Sequence, residues 1–378
     1  MYTLKVHAKL KRPLARAIRG LVVIALGMAL DGCGPFSREQ ATATLKRACD
    51  EGNPYACNNL GAAYVHGQGV PQDHKKAAAL FDRSCKAGDA LGCSNLGASY
   101  LNGMGVSQDS TLAADYYRKG CTGGDAHGCG GLGYMYLGHS GLKNDSEAVG
   151  FLRTGCDGGD ELGCGGLGFA YRDGRAVPKD EARAADYFRK SCELGFSLAC
   201  SALGDMYENG RGVGKDQFRA VTYYQKSCDK GDGQGCGLLA YHYIDGQGVL
   251  RDRKKAITLF KKACDGGHAP GCTVMGVLYE KGGDEQYGNA LAAVAYYRKG
   301  CEGGDPTGCT NLGWMYRQGN GVPKDDAQGM AYYRKGCDGG HAPGCRNLAL
   351  MYRDGSGIPK DETLANAYFR MAEKLEAP

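Results

Sequence analysis

The stretch Cys301-Glu-Gly-Gly-Asp-Pro-Thr-Gly-Cys309-Thr-Asn-Leu-Gly-Trp-Met-Tyr316 carries both features that decide the fold. Its two cysteines enclose seven residues. The same Cys-x7-Cys spacing recurs at Cys49 and Cys57, Cys85 and Cys93, Cys121 and Cys129, Cys156 and Cys164, Cys192 and Cys200, Cys228 and Cys236, Cys264 and Cys272, and Cys337 and Cys345. The first members of successive pairs lie 35 to 37 residues apart, so the 378-residue chain is one repeat copied along a line. A fixed period in this range predicts a helical solenoid, in which each repeat buries its apolar face only against a neighbour.

The second half of the stretch places Cys309, Leu312, Gly313 and Tyr316 at i, i+3, i+4 and i+7, one face of a helix, called A here. Cys57 to Tyr64 and Cys93 to Tyr100 repeat that pattern. A glycine inside a helix costs up to about 1 kcal/mol against alanine. Close approach of a neighbouring helix offsets that cost. A loop such as Gly67 to Asp73 follows, with glycines suited to positive φ and an aspartate placed to cap the next helix, B. Helix B reads Ala77, Leu80, Phe81, Ser84 or Ala113, Tyr116, Tyr117, Gly120, again one face, and its tyrosines read as core rather than catalytic.

Each cysteine pair flanks the turn from B to the next A. There glycines end B, Asp125 or Asp305 caps A, and Pro306 fits its first turn. Bridging within a pair is the sterically cheap option, and closing so short a loop contributes roughly 2 to 3 kcal/mol. The last helix, Leu364 to Lys374, has Glu373 at the cysteine position and no helix A after it. The reading is a lone leading helix near residues 40–51 and then nine A/B pairs. The third and seventh pairs depart from the pattern in their loops, at Gly138 to Asp145 and Gly282 to Asn289.

Even pairing at constant spacing points to an oxidising compartment. Lys5, Lys9, Lys11, Arg12, Arg16 and Arg19 precede an apolar run, Leu21 to Leu30, too short to span a bilayer as a helix, and together these read as a secretory signal. The run meets Leu30-Asp31-Gly32-Cys33, which resembles a bacterial lipobox, although Asp31 departs from the usual small or apolar residue. Residues 1–32 are therefore expected to be a lipoprotein-type signal, Cys33 the lipidated residue, 33–39 a linker and 40–378 the repeats. Taking the six cations and one acid of residues 1–32 from totals of 46 and 41 leaves 40 of each sign. A net charge of zero gives no electrostatic footprint for nucleic acid.

The run Leu-Gly-x-x-Tyr-x-x-Gly-x-Gly-Val-x-x-Asp, at Leu60 to Asp73, Leu96 to Asp109, Leu203 to Asp216 and Leu312 to Asp325, resembles the Sel1-like repeat. With the paired cysteines it is similar to the subgroup typified by the Helicobacter cysteine-rich proteins. That resemblance covers residues from about 40 to 376. It implies an all-α, right-handed superhelical solenoid of TPR-like helix pairs, a disulfide within every Cys-x7-Cys, and helix A on the concave side. It further implies an adaptor that binds other proteins or, as the rival, a penicillin-binding or β-lactam-hydrolysing protein.

Positions two, five and nine after the second cysteine point away from the core stripe. They place Asn59, Asn95, Asn311 and Asn347 in the outer repeats, and Tyr134, Phe169, Tyr241 and Trp314 further in, as ligand-groove candidates. Aromatic rings supply contact area and amides bond peptide backbone, so these residues fit a peptide, protein or cell-wall ligand. Catalysis has less to stand on. Ser140-Gly-Leu-Lys143 and Ser227-Cys-Asp-Lys230 match Ser-x-x-Lys, but no Ser-Asp-Asn or Lys-Thr-Gly accompanies them. His66, His74, His127, His139, His242, His268 and His341 are spread along the repeats without metal-ligand spacing, and the cysteines are consumed by pairing. Gly210 to Asp216 lacks the Ser/Thr of a phosphate loop. The expectation is a non-catalytic, lipid-anchored scaffold of a bacterial envelope, or a secreted one, with no cofactor, no metal and no nucleic acid.

Overall fold

The computed structural model describes residues 37–138, 144–281 and 288–377. The leader and Cys33 lie outside the described residues, as do Ser140, Lys143 and most of the two unusual loops. The described residues form nineteen helices and no strand. Helix α1 (Arg38–Asp50) leads alone. The first repeat is α2 (Pro54–His66) with α3 (His74–Lys86), the second α4 (Ala90–Asn102) with α5 (Ser110–Thr122), and the third α6 (Ala126–Tyr136) with α7 (Asp145–Asp157). The fourth is α8 (Glu161–Asp173) with α9 (Glu181–Leu194), the fifth α10 (Ser197–Asn209) with α11 (Gln217–Asp229), and the sixth α12 (Gly233–Asp245) with α13 (Arg253–Asp265). The last three pair α14 (Ala269–Lys281) with α15 (Ala290–Glu302), α16 (Pro306–Gln318) with α17 (Asp326–Asp338), and α18 (Ala342–Asp354) with α19 (Glu362–Glu376). The chain divides into two compact bodies, the first ending at Lys179 and the second beginning at Asp180.

The starts and stops follow from local chemistry. Asp73 accepts from the Lys76 amide at 3.0 Å at the head of α3, and Asp125 accepts from Gly128 at 3.1 Å at the head of α6. Helix α2 ends where Gly67 takes φ 65°, a left-handed conformation that favours glycine.

All nine cysteine pairs are bridged within the pair, with Cα–Cα distances of 4.4 to 4.8 Å. In the first body Cys49 is joined to Cys57, Cys85 to Cys93, Cys121 to Cys129 and Cys156 to Cys164. In the second, Cys192 is joined to Cys200, Cys228 to Cys236, Cys264 to Cys272, Cys301 to Cys309 and Cys337 to Cys345. Each bridge ties the last turn of a helix to the first turn of the helix A that follows it.

Inside a repeat, helix A packs its glycine on a ring of helix B. A Cβ at Gly61 would lie 2.7 Å from Phe81, one at Gly276 2.5 Å from Tyr297 and one at Gly313 2.8 Å from Tyr333. The helix-propensity cost of these glycines is thus offset by close packing. The neighbouring tyrosine of helix B stacks instead on the tyrosine of helix A: Tyr100 on Tyr116 at 5.5 Å, Tyr316 on Tyr332 at 5.5 Å.

The buried stripe of helix A is wider than the i, i+3, i+4, i+7 pattern. The first and sixth residues after the cysteine are buried as well, as at Ser94 and Ser99 or Thr310 and Met315. The first of these faces the next repeat. Ser94 Oγ donates to Asp125 Oδ2 at 2.5 Å, and a Cβ at Gly120 would fall 2.1 Å from that same Oγ. Where helix B ends in serine, the serine serves this turn itself: Ser84 Oγ donates to Pro54 O and Asp89 Oδ2 at 2.8 and 2.9 Å.

Candidate functional site

The outward face of helix A carries the sequence-derived candidates, but not all in the state expected. Asn59, Asn95, Asn311 and Asn347 are half-buried. Asn95 Nδ2 donates to Asn58 Oδ1 at 2.7 Å, and Asn58 Nδ2 in turn donates to Asn59 Oδ1 at 3.4 Å. This amide ladder links the first two repeats, so two of the four asparagines already have partners. Asn311 is hydrogen-bonded to the Tyr297 hydroxyl. Tyr134 and Phe169 are half-buried rather than exposed, and Phe169 lies under the Arg172 guanidinium at 4.9 Å.

Tyr241 and Trp314 remain, 43% and 40% exposed. Both lie in the second body, five residues after their cysteines, Cys236 and Cys309, in α12 and α16. Tyr241 rests edge-on against the buried Phe260 of α13 at 5.0 Å. Burial, with the Asp305 charge second, raises the pKa of its hydroxyl. This ring lines two recesses. One, of about 230 Å³, is largely apolar and lined by Ile244, Arg253, Ile257, Phe260, Val274 and Leu278. The other, of about 240 Å³, is lined by Glu208, Leu238, His242, Asp245 and Gln247.

A buried polar chain fixes the second recess. His242 Nδ1 donates to Gln247 O at 2.8 Å, and His242 Nε2 lies 3.6 Å from Glu208 Oε2. That carboxylate accepts from Tyr224 at 2.6 Å, and burial together with this bond pushes the Tyr224 hydroxyl well above its usual range. Sequence periodicity missed His242. It occupies the sixth position after the cysteine, where Ala63, Met135, Met206, Met315 and Met351 stand in other repeats. Superposing the repeats is the signal that finds it.

Other candidate groups are occupied by structure. Ser227 is fully buried, its Oγ lying 2.9 Å from Ser197 O and 2.6 Å from Asp232 Oδ2, the same turn lock that Ser84 makes. His127, Asp160 and Glu161 come within 4.8 Å of one another, which their spacing in sequence did not indicate. Asp160 there caps α8, with Oδ1 accepting from Gly163 at 2.7 Å and Oδ2 held 3.0 Å from His127 Nδ1. Burial opposes charging His127, but Asp160, with Asp125 and Glu161, outweighs it and raises its pKa. Among the described residues no helix is long and apolar enough to cross a membrane.

A model of the Sel1 repeat matches nine successive segments, 54–89, 90–125, 126–160, 162–196, 197–232, 234–268, 269–305, 306–341 and 342–376. No curated protein matches the chain. Among solved structures it is similar to a protective antigen of uropathogenic Escherichia coli displaying an SLR fold. That likeness has 31% identity, covers 94% of this chain and 77% of the other, and has a TM-score of 0.60. It is also similar to a Sel1 repeat protein from Oxalobacter formigenes, with 24% identity over 66% of this chain and 98% of the other, TM-score 0.57. Cysteine-rich protein B of Helicobacter pylori shares 33% identity over 36% of this chain and 98% of its own, TM-score 0.30. With matched segments running from residue 54 to residue 376, this chain belongs to the Sel1 repeat family.

Proposed function

We propose that this disulfide-stapled Sel1 repeat solenoid is a non-catalytic scaffold of the bacterial cell envelope. It is anchored by lipid at Cys33 and holds a protein, peptide or cell-wall ligand on the helix-A face of its second body. The observation that carries the binding reading is Tyr241, a half-exposed ring shared by an apolar and a polar recess. An extended chain laid over it would seat an apolar side chain in one recess and a polar one in the other. Trp314, two repeats on, supplies a second exposed ring on the same helix face. Nine disulfides favour an extracytoplasmic setting. The E. coli neighbour, described as a protective antigen, is compatible with that setting. The β-lactam reading rests on resemblance alone, and the one described Ser-x-x-Lys serine is buried in a turn lock.

The test is capture from an envelope extract by the oxidised mature chain and by Tyr241→Ala/Trp314→Ala. The double variant is expected to lose its partner while staying folded. Removing Trp314 costs about 0.5 kcal/mol of stability or less, and removing Tyr241 about 1 kcal/mol through its pairing with Phe260. Undiminished capture by the stably folded variant would refute the helix-A site. Turnover of a chromogenic β-lactam by the wild-type chain would restore the enzyme reading.

A further inference from the structure

Within each body, the residues around the cap of helix B sit at one edge. Equivalent residues occupy equivalent places, so each repeat serves as a control for the others. Two positions before the cap stand Pro71, Ser107, Pro178, Gly214, Pro323 and Pro359, but the sixth repeat has Leu250, 90% exposed. Two positions after the cap stand Lys75, Thr111, Ser146, Ala182 and Ala327, but the fifth repeat has Phe218, 73% exposed, and the seventh has Leu291, 68% exposed. These are the three most exposed large hydrophobic side chains among the described residues. Neither folding nor the helix-A face uses them.

The fifth and sixth repeats meet at this edge. Gly248 of the sixth loop approaches so closely that a Cβ there would lie 2.4 Å from Gln217 O. The loop bearing Leu250 therefore lies against the first turn bearing Phe218. Their charged neighbours are mostly cations. Lys215, Arg251, Arg253 and Lys254 are exposed and make no ion pair among the described residues. The acids present are the caps Asp216 and Asp252, and Asp216 is paired with Arg219 at 3.3 Å. At the same edge of the eighth and ninth repeats acids prevail instead, with Asp325 and Asp326 beside Lys324, and Asp361 and Glu362 beside Lys360.

We propose that this edge docks on an anionic phospholipid bilayer, with Phe218 and Leu250 entering the interface and Lys215, Arg251 and Lys254 lying over the headgroups. The apolar residues protrude singly from a loop and a first helical turn. That suits a fluid headgroup layer more than a shaped protein surface, which anchors its partner through filled recesses. The inference uses the envelope placement above but is independent of the helix-A face.

The test uses the mature chain carrying Cys33→Ser, so that no acyl chain contributes, in sedimentation with phosphatidylglycerol-containing vesicles and with pure phosphatidylcholine vesicles. Binding is expected to the anionic vesicles and to fall with added salt. Phe218→Ser/Leu250→Ser should weaken it more than about tenfold. Arg251→Gln/Lys254→Gln should weaken it about fivefold per cation. Circular dichroism confirms that each variant remains helical. The proposal is overturned if the wild-type chain binds both vesicle types equally or not at all, or if the apolar double variant binds as the wild type does. It is also overturned if that variant merely turns a dimer into a monomer with vesicle binding unchanged, which would make the edge a contact between copies of this chain.

Discussion

Replacing a helical glycine by alanine ordinarily stabilises, by up to about 1 kcal/mol, yet two glycines here are expected to respond with opposite sign. Gly150 is exposed inside α7, and an added Cβ would meet nothing within 4 Å. Gly150→Ala should therefore gain about 0.5 to 1 kcal/mol. Gly276 in α14 faces Tyr297, and its Cβ would fall 2.5 and 2.6 Å from Cδ1 and Cε1 of that ring. The ring has no retreat. It is fully buried, its hydroxyl donates to the Glu280 carboxylate, and Asn311 bonds the same hydroxyl. Overpacking costs about 1 to 3 kcal/mol, and a pinned ring belongs at the upper end. After the propensity gain, the net loss for Gly276→Ala is about 1 to 2 kcal/mol. The sixth repeat gives a natural comparison, since Ala240 stands at the place equivalent to Gly276 and Phe260, which has no hydroxyl to hold it, at the place equivalent to Tyr297. Tyr297→Phe should accordingly soften the effect of Gly276→Ala. A repeat array is coupled between nearest neighbours and need not unfold in one step, so the assay is native-state hydrogen exchange across α7, α14 and α15, supported by urea midpoints. If Gly276→Ala raised protection in α14 as Gly150→Ala does in α7, the ring would not be what selects glycine.

Cys33→Ser is expected to block lipoprotein processing and move the protein out of the membrane fraction; unchanged processing and fractionation would end the lipobox reading. Cys85→Ser/Cys93→Ser opens one nine-residue loop and should cost about 2.6 kcal/mol, read as lost exchange protection in α3 and α4, while non-reducing peptide mapping of the wild type should find no free thiol among the eighteen paired cysteines. His268 Nδ1 accepts from the Gly271 amide at 3.2 Å, and burial, outweighing the Asp232 and Asp305 charges, lowers its pKa. Its contribution is therefore fully present above the unfolded value of about 6.5 and is lost as pH falls through the lower folded value. His127, with a raised pKa, has the opposite sign: its contribution is full below about pH 6.5 and is lost as pH rises through the folded value. Exchange at α14 in His268→Asp should lack the acid loss, and exchange at the α6–α8 contact in His127→Gln should lack the alkaline one.

The architecture was legible because the two signals that define it are local. Cys-x7-Cys reports a turn, Leu-Gly-x-x-Tyr reports a helix face, and neither needs knowledge of what lies one repeat away. What escaped reading is what depends on contact between repeats. Ser94 Oγ reaches Asp125 at the head of the next helix A across 31 residues, and Asn95 reaches Asn58 across 37. Such pairs have no periodic signature within one helix. The same cause explains the mixed outcome on the helix-A face. Position along a helix identifies residues opposite the core stripe, but a neighbouring repeat decides whether Asn95 is tied up. In an array whose packing repeats the same residue at the same register, a large side chain that breaks register without being buried has no packing reason to be there. Phe218 and Leu250 at the edge break register in this way, and Tyr241 and Trp314 differ from Tyr134 and Phe169 at the same register in leaving their rings exposed. Cys, Leu, Gly and the stacked tyrosines do neither. Residues specific to this protein's partners should therefore be sought among the departures from the repeat, and the two surfaces they mark can be disabled separately without touching a disulfide or a glycine–ring contact.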